Sequence, residues 1–223
     1  MFENQKKTLI DFAVKVYREG MVLGTGGNLS LRVGEKGDMM IITPSGMEYE
    51  KLQVEDMVVM DLDNNIVEGN RKPSIEFAMH SLVYKTREDV SAIMHTHALY
   101  STAISITRTP LPEIESNIVL GVRGPVMCGK YANHGTVELA ENVVEALGNR
   151  QAALLANHGL IVVGNNLDSC HELTLGVEHC ARMYIMASSV GNPVAIEADK
   201  ADALRNFVSH SYGQGDSEGG TNV

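Results

Sequence analysis

The run Ile-Met-His-Thr-His-Ala, residues 93–98, carries two histidines two positions apart in apolar surroundings. In a strand, residues i and i+2 point to the same face, so His95 and His97 present their imidazoles side by side. Two such rings, about 7 Å apart along the strand, can converge on one metal ion. The pair also suits two hydrogen-bonded histidines at a strand end. His158 sits in an Asn-His-Gly turn between two apolar runs. It reads as a third nitrogen ligand or as a plain turn residue. Glu76 follows Lys-Pro-Ser-Ile at the start of a helical pattern, where the helix dipole stabilises a carboxylate. An ordinary helix-start acid looks the same. Three histidines and one carboxylate form a zinc donor set. Three nitrogens leave a position open for substrate, which is the catalytic pattern rather than the structural one.

Three further segments suit an anion. Gly-Thr-Gly-Gly-Asn-Leu-Ser (24–30) has small residues whose N–H groups can approach an oxyanion closely. Thr-Pro-Ser-Gly (43–46) offers a hydroxyl and a glycine N–H in a turn. Lys-Pro-Ser-Ile-Glu (72–76) offers Ser74 and bare N–H groups at a helix start. Each has a plain alternative: a tight turn, a strand end, an N-cap. The glycine run lacks the G-x-G-x-x-G and GK[ST] spacings of dinucleotide and P-loop sites.

The elements that must position these groups follow from periodicity. Leu9, Phe12, Ala13, Val16 and Tyr17 fall at helical spacing over 4–19. Residues 28–32, 39–43 and two runs within 57–69 read as strands separated by turn residues. A helix is expected over 73–86 with Ser74 as N-cap and Glu76 in its first turn. A strand ending in His-Thr-His, a helix over 99–107, and short strand and loop over 117–131 follow. Then come a helix over 136–149, two apolar strands flanking His158, a long helix over 167–190 and a short one near 199–208. Several strand pairs are joined by loops too short for a helical crossover, so they must be antiparallel. The expected fold is a single α/β domain: a largely antiparallel central sheet with helices on both faces.

Composition limits the function. Of 223 residues, 44% are hydrophobic, enough for a sizeable core. No apolar run approaches the roughly 18–20 residues of a membrane span. The N-terminal segment carries Glu3, Asp11 and Glu19, unlike a signal peptide. Cys128, Cys170 and Cys180 are an odd, sparse set that fits a reducing cytoplasm. The net charge of −10, without a basic cluster, argues against nucleic acid as a partner. An anionic substrate then needs local help from backbone N–H groups or a metal. The 12 methionines read as core filling.

The ordered set GTGGNLSLR, ITPSG, KPSIEFAMH, HTHA, YANHGT and LLANHGL resembles the class II aldolase/adducin-head family, over residues 5 to 213. The resemblance implies one Zn²⁺ per subunit held by His95, His97 and His158. Glu76 matches the carboxylate that ligates the resting metal and then serves as general base. Asn28, Ser45, Gly46, Ser74 and Ile75 match the phosphate-binding positions, with Ile75 standing where a serine hydroxyl is expected. Tyr212 matches a tyrosine reaching the active site from a C-terminal tail, and is the candidate for exchanging the proton on the aldehyde oxygen. A second active-site tyrosine is replaced by Ser116, at the aldehyde end of the substrate.

The resemblance further implies a catalytic domain over 1–210, a mobile tail over 211–223, and a homotetramer with sites between subunits. The implied reaction is reversible cleavage of a ketose 1-phosphate, L-fuculose 1-phosphate or a close relative. Its products are dihydroxyacetone phosphate and a small aldehyde such as lactaldehyde. Other lyase, dehydratase or decarboxylase chemistry within the family is a second reading. Epimerase chemistry ranks lower, because the family's epimerases carry an aspartate where this chain has Asn-Ile-Val-Leu-Gly-Val-Arg-Gly (117–124). A non-catalytic adducin-head-like interaction module is the third, and has no need of an open metal site. His80 reads as a partner behind the metal ligands. His134 lies near the site without being required by the motifs. His171, His179 and His210 read as structural or exposed.

Overall fold

The computed structural model describes residues 1–211 of the chain. Eight strands form one sheet in the order β4-β3-β2-β1-β5-β8-β7-β6. They are β1 (Asn28–Val33), β2 (Met39–Ile42), β3 (Val58–Asp61), β4 (Ile66–Glu68), β5 (Ala92–Thr96), β6 (Met127–Gly129), β7 (Ala152–Leu155) and β8 (Gly159–Gly164). Every pairing is antiparallel except β6 with β7. Short connections enforce this for β1 with β2, β3 with β4 and β7 with β8, as expected from loop length.

Strand alternation separates two cores. Leu29, Ala92, Met94, Leu160 and Val162 face one side, under α1 (Glu3–Arg18), α3 (Leu99–Thr107), α4 (Ser116–Val122) and α6 (Leu167–Ser188). Ile93, Ile161 and Val163 face the other, under α2 (Phe77–Thr86) and α5 (Val137–Leu147). A last helix, α7 (Ala198–Ser211), packs on α4. Period 2 therefore puts His95, which shares its parity with Ile93, on the α2 side. In β1 the same rule turns Asn28 and Ser30 toward α2, opposite to Leu29. The three cysteines are all unpaired. No helix among the described residues is long and apolar enough to cross a membrane.

Three expectations need correction. Residues 116–122, read as strand and loop, form α4. Its β-branched residues are poor helix formers, but the Glu115 carboxylate accepts from the Asn117 N–H as a cap, and Ile118, Val119 and Val122 are buried. Helix α2 starts at Phe77, with Glu76 rather than Ser74 at its N-cap. The chain up to Ser74 is committed to an extended bridge: Pro44 pairs with Pro73, and the Ser74 N–H donates to the Thr43 carbonyl. Helix α7 continues to Ser211, past the expected end near 208.

Candidate metal centre and active site

His95 lies at the end of β5, directly opposite Asn28 of β1 in the sheet register. His97 follows just beyond the strand. His158 occupies the turn between β7 and β8, where Asn157 adopts a left-handed conformation with φ 55. The Asn157 N–H donates to the Ser105 carbonyl and its side-chain oxygen accepts from Arg108, so the end of α3 pins the turn. The start of α3 is fixed too. Glu178 of α6 accepts from the Tyr100 and Ser101 N–H groups and the Ser101 hydroxyl, which satisfies that helix N-terminus.

The three rings converge. His95 Nε2 lies 3.1 Å from Nε2 of His97 and 3.1 Å from Nε2 of His158. A tetrahedral zinc with ordinary Zn–N bonds separates its nitrogen ligands by about 3.3 Å, so the spacing fits. His95 Nδ1 lies 3.0 Å from the Leu160 carbonyl, which can only accept. Nδ1 therefore carries the proton, and the Nε2 lone pair faces the cluster, as a metal-ligating histidine requires.

Glu76 closes the group. Its Oε2 is 3.2 Å from His95 Nε2 and accepts from the Asn28 amide at 2.8 Å. Its Oε1 is 3.3 Å from His158 Nε2, yet buried without a hydrogen-bond donor. Such an orphaned oxygen beside convergent nitrogen lone pairs is what a bound cation would satisfy. His95, His97 and His158 form one set able to hold a metal; Glu76, His134 and His158 form another.

Electrostatics keep the imidazoles of His97 and His158 neutral. Burial pushes His97 down to about 4 and His158 down to about 2. Burial works against the charged form of Glu76. The Asn28 amide bond and any positive charge among the histidines work the other way, and the carboxyl is held below its ordinary range. A divalent cation at the same point acts in the same direction.

The glycine turn serves the histidines. A Cβ on Gly26 would stand 2.9 Å from His97 Nδ1. One on Gly27, which has φ +73, would stand 2.7 Å from the His95 carbonyl oxygen. These close approaches explain the glycines without any ligand. Among the phosphate candidates, the 43–46 and 72–75 segments lie side by side, since the Ser45 N–H donates to the Lys72 carbonyl. Ser45 and Gly46 are exposed, Ile75 is exposed, and Ser74 is buried. Three of the N–H groups at the start of α2 are engaged within the chain. The N–H groups of Ser74, Glu76 and Phe77 are bonded to the Thr43 carbonyl, the Ser74 hydroxyl and the Ser74 carbonyl. The Asn28 side chain is engaged by Glu76 and His80.

His134 was the least legible member. It is half exposed, 3.5 Å from Glu76 Oε1, with its ring centroid 3.7 Å from that of His158. Its motif placed it near the site; Gly135 beside it has φ +73, and a Cβ there would stand 2.8 Å from the Ile75 carbonyl oxygen. His171 pairs with Glu19 at 2.6 Å, and His179 is exposed. Ser116 opens α4, its hydroxyl donating to Glu115. Tyr212 and the rest of the tail lie outside the described residues, as does the side chain of His210. A cleft of about 640 Å³ lies at the other end of β5 and β8, between Arg87, Gly164 and Glu172, away from the histidines.

Residues 7–185 match the family model of the class II aldolase and adducin N-terminal domain. The chain is 35% identical to a 5-deoxy-D-ribulose 1-phosphate aldolase of Bacillus thuringiensis serovar kurstaki, over 96% of this chain and 99% of that one. It is 37% identical to the L-fuculose phosphate aldolase of Escherichia coli K12, over 93% and 94%. A solved L-fuculose 1-phosphate aldolase superposes with a TM-score of 0.87 at 37% identity, covering 92% of this chain and 95% of that one. With its histidine cluster and facing carboxylate, the chain belongs to the class II aldolase and adducin N-terminal domain family, as one of its metal-dependent aldolases.

Proposed function

We propose that the protein is a zinc aldolase that reversibly cleaves a ketose 1-phosphate to dihydroxyacetone phosphate and a small aldehyde. The observation that carries this is the convergence of His95, His97 and His158 on one point beside the unsatisfied Oε1 of Glu76. Three nitrogens would hold the metal and leave a position for substrate. The metal, when bound, supplies Lewis-acid stabilisation of the negative charge that the reaction places next to the ketone.

The chain's own groups do the rest. In condensation the Glu76 carboxylate takes the proton from carbon 3 of dihydroxyacetone phosphate. In cleavage the same group returns one to that carbon, by microscopic reversibility. The exposed Ser45–Gly46 turn and the Ser74–Ile75 segment beside it are the proposed phosphate seat, with Asn28 as a further contact. Tyr212 is the proposed proton donor to the aldehyde oxygen. Apolar residues exposed in the segments that carry the site, Leu23, Ile75, Leu99, Tyr131 and Val137, support self-association around it. A homotetramer is proposed.

Relatives named for a hexulose and for pentulose 1-phosphates stand at nearly equal identity. The proposal therefore keeps the shared half of the substrate: the 1-phosphate and the ketone. The test is to measure bound metal, then assay dihydroxyacetone phosphate release from L-fuculose 1-phosphate, 5-deoxyribulose 1-phosphate and 5-methylthioribulose 1-phosphate. Release from at least one is expected. Release from none, by protein carrying stoichiometric metal, would sink the proposal.

A further inference from the structure

A buried polar chain runs behind Glu76, and its members His80, Ser30 and Tyr84 have no part in the proposed reaction. Asn28 Nδ2 donates to Glu76 Oε2 at 2.8 Å. Asn28 Oδ1 lies 2.5 Å from His80 Nε2. His80 Nδ1 lies 2.7 Å from the Ser30 hydroxyl, which lies 2.8 Å from the Tyr84 hydroxyl. Ser30, His80 and Tyr84 are 0–1% exposed, so no water competes for these groups. Arg32 anchors the far end, with its guanidinium 4.9 Å from the centre of the Tyr84 ring.

The protons in this chain can be placed by elimination. Burial pushes His80 down to about 3, so its ring is neutral and has one N–H. The Tyr84 proton must go to Ser30, its bonded partner. Ser30 then gives its own proton to His80 Nδ1. That leaves Nε2 as the N–H, which donates to Asn28 Oδ1 and turns the Asn28 NH₂ toward Glu76. In the opposite tautomer, a bare Nε2 would face a bare Oδ1 at 2.5 Å. The amide could relieve that only by flipping its carbonyl against the Glu76 carboxylate. Both alternatives oppose two lone pairs in a dry interior, where they are costly.

We propose that His80, held as its Nε2–H tautomer by Ser30 and Tyr84, is a positioning residue that sets the direction of the Asn28 amide. It thereby keeps Oε2 of Glu76 occupied and aims the bare Oε1 at the metal and substrate side. The two ends of a side-chain amide have nearly the same shape, so packing alone cannot choose between them. The hydrogen-bond direction, relayed from Tyr84, makes the choice. The consequence is a carboxylate with one restrained oxygen and one reactive oxygen. This inference rests on the reading of Glu76 as the proton-transfer group.

The test uses full-length, zinc-loaded protein and has two arms. In the first, ¹⁵N-histidine NMR reads the tautomer, with His80 assigned through His80→Gln. A protonated Nε2 and a bare Nδ1 are expected; a protonated Nδ1 overturns the proposal. In the second, Tyr84→Phe and Ser30→Ala remove the relay without touching Asn28 or Glu76. Solvent deuterium exchange into carbon 3 of dihydroxyacetone phosphate is expected to slow roughly 10- to 100-fold, with bound metal little changed. Exchange at native rates in both variants overturns the proposal. His80→Gln, which can still donate to Asn28, is expected to retain more exchange than the similarly sized His80→Leu. Equal losses in that pair, matched by equal losses of thermal stability, mark a merely structural role and also overturn it. Native protein without any exchange counts against the proposed function instead, and the tautomer arm still decides the relay.

Discussion

Asn28 and His95 stand opposite each other in the antiparallel register of β1 and β5, and both reach the same oxygen of Glu76. The Asn28 amide is 2.8 Å and His95 Nε2 is 3.2 Å from Oε2. One sheet position thus sets a neutral donor to the carboxylate on one strand and a metal-ligand candidate beside it on the other.

Glu76→Gln should separate metal binding from proton transfer. Three imidazoles remain, so bound metal should stay near stoichiometric by elemental analysis. Exchange into dihydroxyacetone phosphate should fall by about 10²- to 10⁴-fold, the usual worth of a positioned base. Retained exchange would contradict its assigned role.

The two possible ligand sets share His158 but differ in their other members. If the metal sits among the strand histidines, His97→Ala should lose most of it, while His134→Ala should keep it. Metal content after dialysis distinguishes the two sets. The reverse pattern would move the metal to the Glu76–His134–His158 set.

Gly159 and Gly46 make a matched pair for stability. A Cβ at Gly159 would stand 2.3 Å from the Thr96 carbonyl oxygen and 3.1 Å from His97 Cδ2. Gly159→Ala should therefore destabilise by about 1–3 kcal/mol, as overpacking does, and disturb metal binding. Gly46 has φ +67 with nothing within 4 Å. Gly46→Ala should cost only the left-handed backbone strain, about 1–2 kcal/mol, and leave metal content alone. Urea midpoints and metal analysis read both effects.

His80 should make stability fall on acidification. Its folded pKa is about 3, pushed down by burial, against an ordinary value of 6.5. Between those values the unfolded chain binds the proton and the folded chain does not, so stability rises with pH through that window. Between pH 6.5 and 4.5 the His80 share should be on the order of 2 kcal/mol. Glu76 adds its own loss only below its unfolded pKa, nearer 4.5. Urea unfolding of metal-free protein at both pH values, set against His80→Gln, should show a shallower slope in the variant. Equal slopes would mean that His80 is protonated when folded.

Much of the site was legible before any fold was known, because it rests on local geometry. His95 and His97 share a strand face by period 2, and Glu76 and His80 fall four apart at a helix start. His158 was held in a turn by its Asn-His-Gly setting. Helix α4 was not legible, because Ile118, Val119 and Val122 favour strand locally and are helical through burial against α6 and the Glu115 cap. His134 was placed near the site by its motif, but its approach to Glu76 depends on the close contact of Ile75 with Gly135, 60 residues apart in sequence.

The sequence by itself determined which residues can bind a metal and which strands must run antiparallel. Those properties depend on side-chain chemistry and short spacings, which a linear chain states directly. Tertiary structure alone decided that the four candidate ligands meet, that Asn28 turns its amide to Glu76, and that the glycine turn clears room for His97. These depend on the register of β1, β5 and β8 and on the seating of α2. Long-range pairing sets them, through distances and directions that no local pattern encodes.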